Sequence, residues 1–384
     1  MTTRVSVNPD LLYWALERAG LTAEALAGKF PKLGEWLQGE LAPTLKQLES
    51  FANATHTAIG LLFLQQPPEE PLPIPDFRTM PQAQLARPSA DLLDTIYLCQ
   101  QRQAWYLDYL RLHGAEPVAF VGSTVVADEV TEVAAGIAHA IGFDTDERQQ
   151  LPNWSEALRR FIAQTEEAGV LVMVSGVVGS NTHRPLSPEE FRGFALADSF
   201  APLIFINGKD SKAAQMFTLA HELAHVWLGE SGISDAQAVT LPDEVTERWC
   251  NAVAAELLAP LDQVRQAYHQ GDDLHEVMQR LARQFKVSTL VIVRRLFDLG
   301  AIDEETLWMT YREELARLKA LSSRKGGGGD FYNSLGARVS KRFAVALVAS
   351  TLEGQTLFRD AFQMLGIRKS ATFYKEAARL GLRP

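Results

Sequence analysis

The stretch FTLAHELAHVWLGE, from Phe217 to Glu230, restricts what this chain can be more than any other. His221 and His225 stand four residues apart with no helix breaker between them, so a helix brings both imidazoles to one face, about one turn apart. Two imidazoles so placed can share one ion, and Glu222, beside that face, can reach a water without being a ligand. This is the arrangement of donors and general base found in zinc peptidases. Leu219, Leu223, Val226 and Trp227 make the remainder of the helix apolar, which predicts a helix buried against strands. Polar groups drawn into such an interior need a function or a partner. The competing reading, ordinary core residues matching by chance, suits a lone histidine better than the full motif.

A catalytic zinc needs a third protein ligand and one open position. The helix predicted next, DEVTERWCNAVAAELLAP, lines up Glu247, Asn251, Ala255 and Leu258 on one face, and Ala252, Ala254 and Ala255 permit close helix approach. Spacing favours Glu247. Glu244, about 60° away on the helical wheel, remains an alternative, whereas Glu256 falls on the opposite side and is expected in solvent. His183, Tyr268 and His269 are candidates for helping zinc stabilise an oxyanion, each also readable as an ordinary surface residue.

The chain has 384 residues, enough for two to four domains. Hydrophobic residues make up 47% and charged residues 22%, and no apolar run approaches the roughly 18 residues of a membrane span. MTTRVSVNPD lacks the basic and apolar regions of a signal peptide, and Cys99 and Cys250 lie far apart, so a soluble, cytoplasmic protein without disulfides or membrane contact is expected. The net charge of −10 disfavours non-specific phosphate binding by the whole molecule. It is unevenly spread: from Ala320 onward there are 11 Lys/Arg and 4 Asp/Glu, leaving that tail at +7 and the rest at −17. Such asymmetry suggests a C-terminal module with a partner of its own.

The predicted class is mainly α with a small β-sheet (α+β). Short helices fill 1–66, with Thr22 and Thr44 as expected N-caps, followed by a proline-rich extended connector over 67–89. A zinc peptidase-like domain over 90–322 opens on an amphipathic helix from Ala90 to His113. Helices are predicted over 126–141 and 154–168, and strands in VLVMVSGVV, GFALAD and APLIFING. The HExxH helix follows over 211–228, the next one ends near Ala259, a helix-turn-helix-like segment occupies 275–302, and a further helix covers 304–320. A Gly-rich linker at 323–330 precedes a basic helical module at 331–384, rich in Phe331, Tyr332, Phe343, Phe358, Phe362, Phe373 and Tyr374. That linker predicts a tail uncoupled from the zinc site.

The segments FRGFALADSFAPLIFINGKDSKAAQMFTLAHELAHVWLGESG and ERWCNAVAAELLAP resemble the ImmA/IrrE family of metallo-endopeptidases. The resemblance implies a gluzincin-like fold with a strand edge beside the metal, taken here as 202–207, on which an extended peptide could pair. It implies Zn2+ held by His221, His225 and Glu247, with Glu222 catalytic; Cys250 stands where the family usually has alanine. Trp36, Gly39, PTLKQLESFA and the helix lengths of residues 9–65 are similar to the helix-turn-helix domain of Xre-type repressors. Residues 1–60 carry 5 Lys/Arg and 6 Asp/Glu, a balance that favours protein docking or dimerisation over DNA. For 275–302, Arg294 and Arg295 could meet phosphate, but packing against the catalytic helices is the stronger expectation. The function expected is a regulatory endopeptidase acting on a protein such as a transcriptional repressor. The alternative is an antitoxin-like or regulatory interaction protein that binds a partner toxin, its zinc site structural or vestigial.

Overall fold

The computed structural model describes residues 4–78, 88–234, 244–269, 271–322 and 336–382. Two compact units divide the chain: Met1–Pro73 with Ala86–Ile96, and Ile74–Leu85 with Tyr97–Pro384. The fold is mainly α with one small mixed sheet, as the periodicities predicted. No helix among the described residues is long and apolar enough to cross a membrane.

The first unit contains α1 (Pro9–Arg18), α2 (Ala23–Ala27), α3 (Leu33–Leu37), α4 (Leu45–Ala54) and a 3-10 turn at Ile59–Phe63. Its helix starts are written in the sequence. Asn8 caps α1 with Pro9 in the first turn, Thr22 caps α2, and Thr44 and Gln47 close a reciprocal capping box at α4. Leu11, Leu12, Trp14, Leu33, Trp36, Leu48 and Phe51 form the core.

The second unit holds most of α5 (Ala90–Leu112), then α6 (Val130–Ile141), α7 (Thr145–Gln150) and α8 (Trp154–Glu167). Its strands are β1 (Leu171–Ser175), β2 (Gly193–Leu196), β3 (Leu203–Asn207) and β4 (Gly232–Ser234), with the HExxH helix α9 (Lys212–Leu228) between β3 and β4. Sheet order is β1-β3-β2-β4: β1 and β3 are parallel, and β2 runs antiparallel to both β3 and β4. The expected free edge at 202–207 is therefore wrong, because β3 has a neighbour on each side. Its burial explains why: Leu203 to Asn207 are all buried, and an uninterrupted apolar run suits a strand covered on both faces.

Helices α10 (Val245–Leu258), α11 (Leu261–Ala267), α12 (Leu274–Phe285), α13 (Thr289–Asp298) and α14 (Glu304–Ser322) follow. Arg295, weighed as a phosphate contact, is buried and donates to the Ala259 carbonyl and to Glu256, while Arg294 pairs with Asp298. Glu256 is thus an internal partner of α13 and not the solvated residue expected, because the buried Arg295 guanidinium of α13 reaches it. Cys99 and Cys250 are buried free thiols.

The glycine run, Phe331 and Tyr332 lie outside the described residues. Beyond them, α15 (Lys341–Leu352), α16 (Phe358–Leu365) and α17 (Ser370–Arg379) join the second unit, so the expected uncoupling from the body is not observed. Buried Arg102 donates to the carbonyls of Met364 (3.0 Å) and Arg338 (3.2 Å), and Arg342 donates to the Tyr106 hydroxyl at 2.8 Å. Phe343, fully buried, meets Trp105 edge-on at 5.6 Å. Part of the tail's aromatic content therefore fills a joint with α5. Phe343→Ala is expected to destabilise this unit by about 3–5 kcal/mol in urea unfolding. A loss under about 1 kcal/mol, the level of an ordinary surface change, would mean the joint contributes little.

Candidate metal centre

Helix α9 starts at Ser211, whose hydroxyl accepts from the Ala214 amide, and stops at Gly229, whose φ of 72° suits glycine. Every residue from Gln215 to Trp227 is buried, because α9 is covered by α10, β2, β3 and α8. Its polar face is turned to α10. There His225 Nε2 lies 3.1 Å from His221 Nε2 and 2.9 Å from Glu247 Oε1, while His221 Nε2 lies 3.3 Å from Glu247 Oε2. All three side chains are 0–1% exposed.

These spacings can be tested against a metal. Donors held at about 2.0–2.1 Å around a tetrahedral ion stand roughly 3.3 Å from one another. The observed 2.9–3.3 Å is that spacing, for two imidazoles and a carboxylate converging on one point. The residues fit a divalent ion. Glu244, the alternative, is exposed just before the first turn of α10 and is absent from the cluster.

Asn251, four residues after Glu247 on α10, faces His221: its Oδ1 is 3.0 Å from His221 Nδ1. With the proton on Nδ1 donated to this amide oxygen, the lone pair of Nε2 points to the shared centre. Asn251→Ala is expected to weaken metal affinity about 10- to 100-fold, measured by competition with a chelating dye. An unchanged affinity would show that His221 is oriented by packing alone.

Glu222 sits under β2 and β4. Ser234 donates its hydroxyl proton to Oε1, and Oε2 finds no partner among the described residues. Burial pushes the carboxyl up to about 8, against the opposing influence of the His225 charge and the Ser234 hydrogen bond, with Glu247 adding to the rise. Glu247 contrasts with it. Burial would raise it too, but the charges and hydrogen bonds of His221 and His225 prevail and bring it to about 2. One carboxylate is thus held as an anion, while the other is poised to take up a proton near neutrality.

A glycine makes this closeness possible. A Cβ at Gly193 would stand 2.5 Å from Thr218 Cγ2 and 3.0 Å from Glu222 Oε1. Neither Gly193 nor Ser234 was singled out in the sequence, and their spacing to the motif carries no local signal. The suggested oxyanion groups are not among the three clustered donors. His183 is exposed and lines a surface hollow with Arg368 and Lys369, His269 is exposed, and half-buried Tyr268 packs on the core.

Two family models match parts of the chain. Residues 165–297 match the family model Peptidase_M78, the IrrE N-terminal-like domain, a span that runs from the end of α8 into α13 and includes His221, Glu222, His225 and Glu247. This region is therefore related to the metallopeptidase family that the sequence resembles. Residues 339–379 match a domain of unknown function, DUF8813. No curated protein matches the chain.

Proposed function

We propose that the protein is a zinc-dependent endopeptidase with a regulatory role, acting on another protein, for which a transcriptional repressor is the class the family resemblance suggests. The observation that carries the reading is the set of three buried donors at ligand spacing with, on the same helix, a buried glutamate that has one oxygen unpartnered among the described residues. Zinc, held by His221, His225 and Glu247, would supply Lewis acidity that polarises a peptide carbonyl and acidifies a water. The chain's own part is proton transfer. Glu222 Oε2 takes the water proton while Ser234 holds Oε1, and the same carboxyl returns the proton to the departing amine nitrogen.

The unit that begins the chain is read as a docking or dimerisation element of Xre-like helix-turn-helix type. Exposed Glu35 and Glu40 beside Lys32 support protein over DNA as its partner. Incubating a host lysate with zinc-loaded protein and labelling new protein N-termini tests the activity. New termini that disappear with chelator are expected. Their absence, with candidate repressors present and intact, would count against the reading.

A further inference from the structure

The outer edge of the sheet beside the metal centre is already taken by the chain itself. Connector residues 75–77 run parallel to β4, with the Ile233 amide donating to the Pro75 carbonyl at 3.0 Å and the Phe77 amide donating to the Ile233 carbonyl at 3.0 Å. Phe77 lays its ring parallel to that of His225, with 5.5 Å between centroids and 3° between planes. The ring rests on Gly232, where a Cβ would come within 2.2 Å of it. Arg78 then pins the end of the segment: its buried guanidinium holds both oxygens of Asp76, at 2.8 and 2.7 Å, and donates to the Glu190 carbonyl at 3.4 Å.

An extended strand on a sheet edge, with one side chain in a seat beside the reacting centre, is how an edge binds a peptide. We propose that residues 74–78 are a built-in competitor for the substrate groove, and that the seat formed by Gly232 and His225 takes an aromatic side chain from an extended substrate peptide. The proposal rests on the peptidase reading of the centre. Two features favour a competitor over a simple structural strand. Pro75 offers no amide proton, so the ladder gains no bond from that residue and the segment can peel away from its N-terminal end. The Phe77 ring stacks on a metal-ligand candidate. Arg78, buried and reaching the Glu190 carbonyl, is the fixed end about which the segment would swing. Tethering makes the strap hard to displace, at an effective concentration on the order of millimolar, so a substrate must either bind more tightly or act when a partner pulls the connector away.

The test uses the full chain and a fluorescein-labelled synthetic peptide, PLPIPDFR, the sequence of residues 71–78. Wild type is expected to capture this peptide at least 10-fold more weakly than Phe77→Ala in fluorescence polarisation, because only the variant frees the seat. A peptide with alanine in place of its phenylalanine should lose that gain, and adding Gly232→Val to the variant should abolish capture. Hydrogen exchange provides a second reading: the Ile233 amide should exchange faster in Phe77→Ala. Equal capture by wild type and variant, or unchanged exchange at Ile233, would overturn the proposal. Cleavage separates it from the peptidase reading. A Phe77→Ala protein that captures the peptide but cuts nothing retains the strap and removes the peptidase. A wild type that cuts as fast as Phe77→Ala, neither capturing the peptide, overturns the strap and retains the peptidase.

Discussion

Glu222→Gln is expected to lower peptide-bond hydrolysis by about 10²- to 10⁴-fold, the usual share of a general base, while metal content and fold are retained. The amide keeps the size of the carboxyl and can still accept from Ser234, but it cannot take a proton from water. Stability gives an independent check on the same variant. In metal-free protein the folded chain holds a proton on Glu222 up to about pH 8, whereas the unfolded chain releases it near 4.5. The folded state therefore binds more protons between these values, and stability falls as pH rises through that window. Glu222→Gln should remove that part of the slope and be more stable than wild type at pH 8. Glu247 works with the opposite sign and in another window: its contribution is present above about 4.5 and is lost as pH falls toward 2. A Glu222→Gln variant that still cleaves at the wild-type rate would show that another group takes the proton.

The second large effect is on the metal. Removing one of three ligands leaves two donors and an unfilled place in a buried site, so His225→Ala is expected to reduce bound zinc from about one ion per chain to almost none. Glu247→Ala should do nearly the same, and it also deprives two imidazoles of the carboxylate at 2.9 and 3.3 Å. Glu244→Ala should have little effect, since that side chain is exposed and outside the cluster. Metal analysis after dialysis against buffered zinc distinguishes them. Zinc loss with Glu244→Ala and none with Glu247→Ala would reassign the third ligand.

What the sequence disclosed about this centre is what lies within one or two helical turns. His221, Glu222 and His225 are tied by the period of a single helix, and Glu247 and Asn251 by that of the next, so both polar faces were legible before their meeting was seen. Which carboxylate meets the histidines is left open between Glu247 and Glu244 by spacing, and the family resemblance points to Glu247. Sheet order was not legible in the same way, because strand neighbours are chosen by long-range pairing and not by local period. Yet LIFIN carried a warning: a strand with no polar alternation suits the middle of a sheet, and the edge assigned to it went instead to β4 and residues 75–77. Gly193, Gly232 and Ser234 were silent for a related reason. Each matters through what stands across from it, and a glycine chosen for absent volume looks like any other glycine. The tail misled through its linker. A glycine run speaks for a flexible joint, but it says nothing of whether the segment beyond packs back, as Phe343 does against α5.

The central claim is that His221, His225 and Glu247 hold one zinc ion beside Glu222. Anomalous diffraction from crystals of the zinc-reconstituted chain, collected on both sides of the zinc absorption edge, tests it most directly. The expected result is a single strong peak at about 2.0–2.2 Å from both Nε2 atoms and from the Glu247 carboxylate. A map with no peak there, or with zinc bound elsewhere while the two histidines remain bonded only to protein atoms, would contradict it.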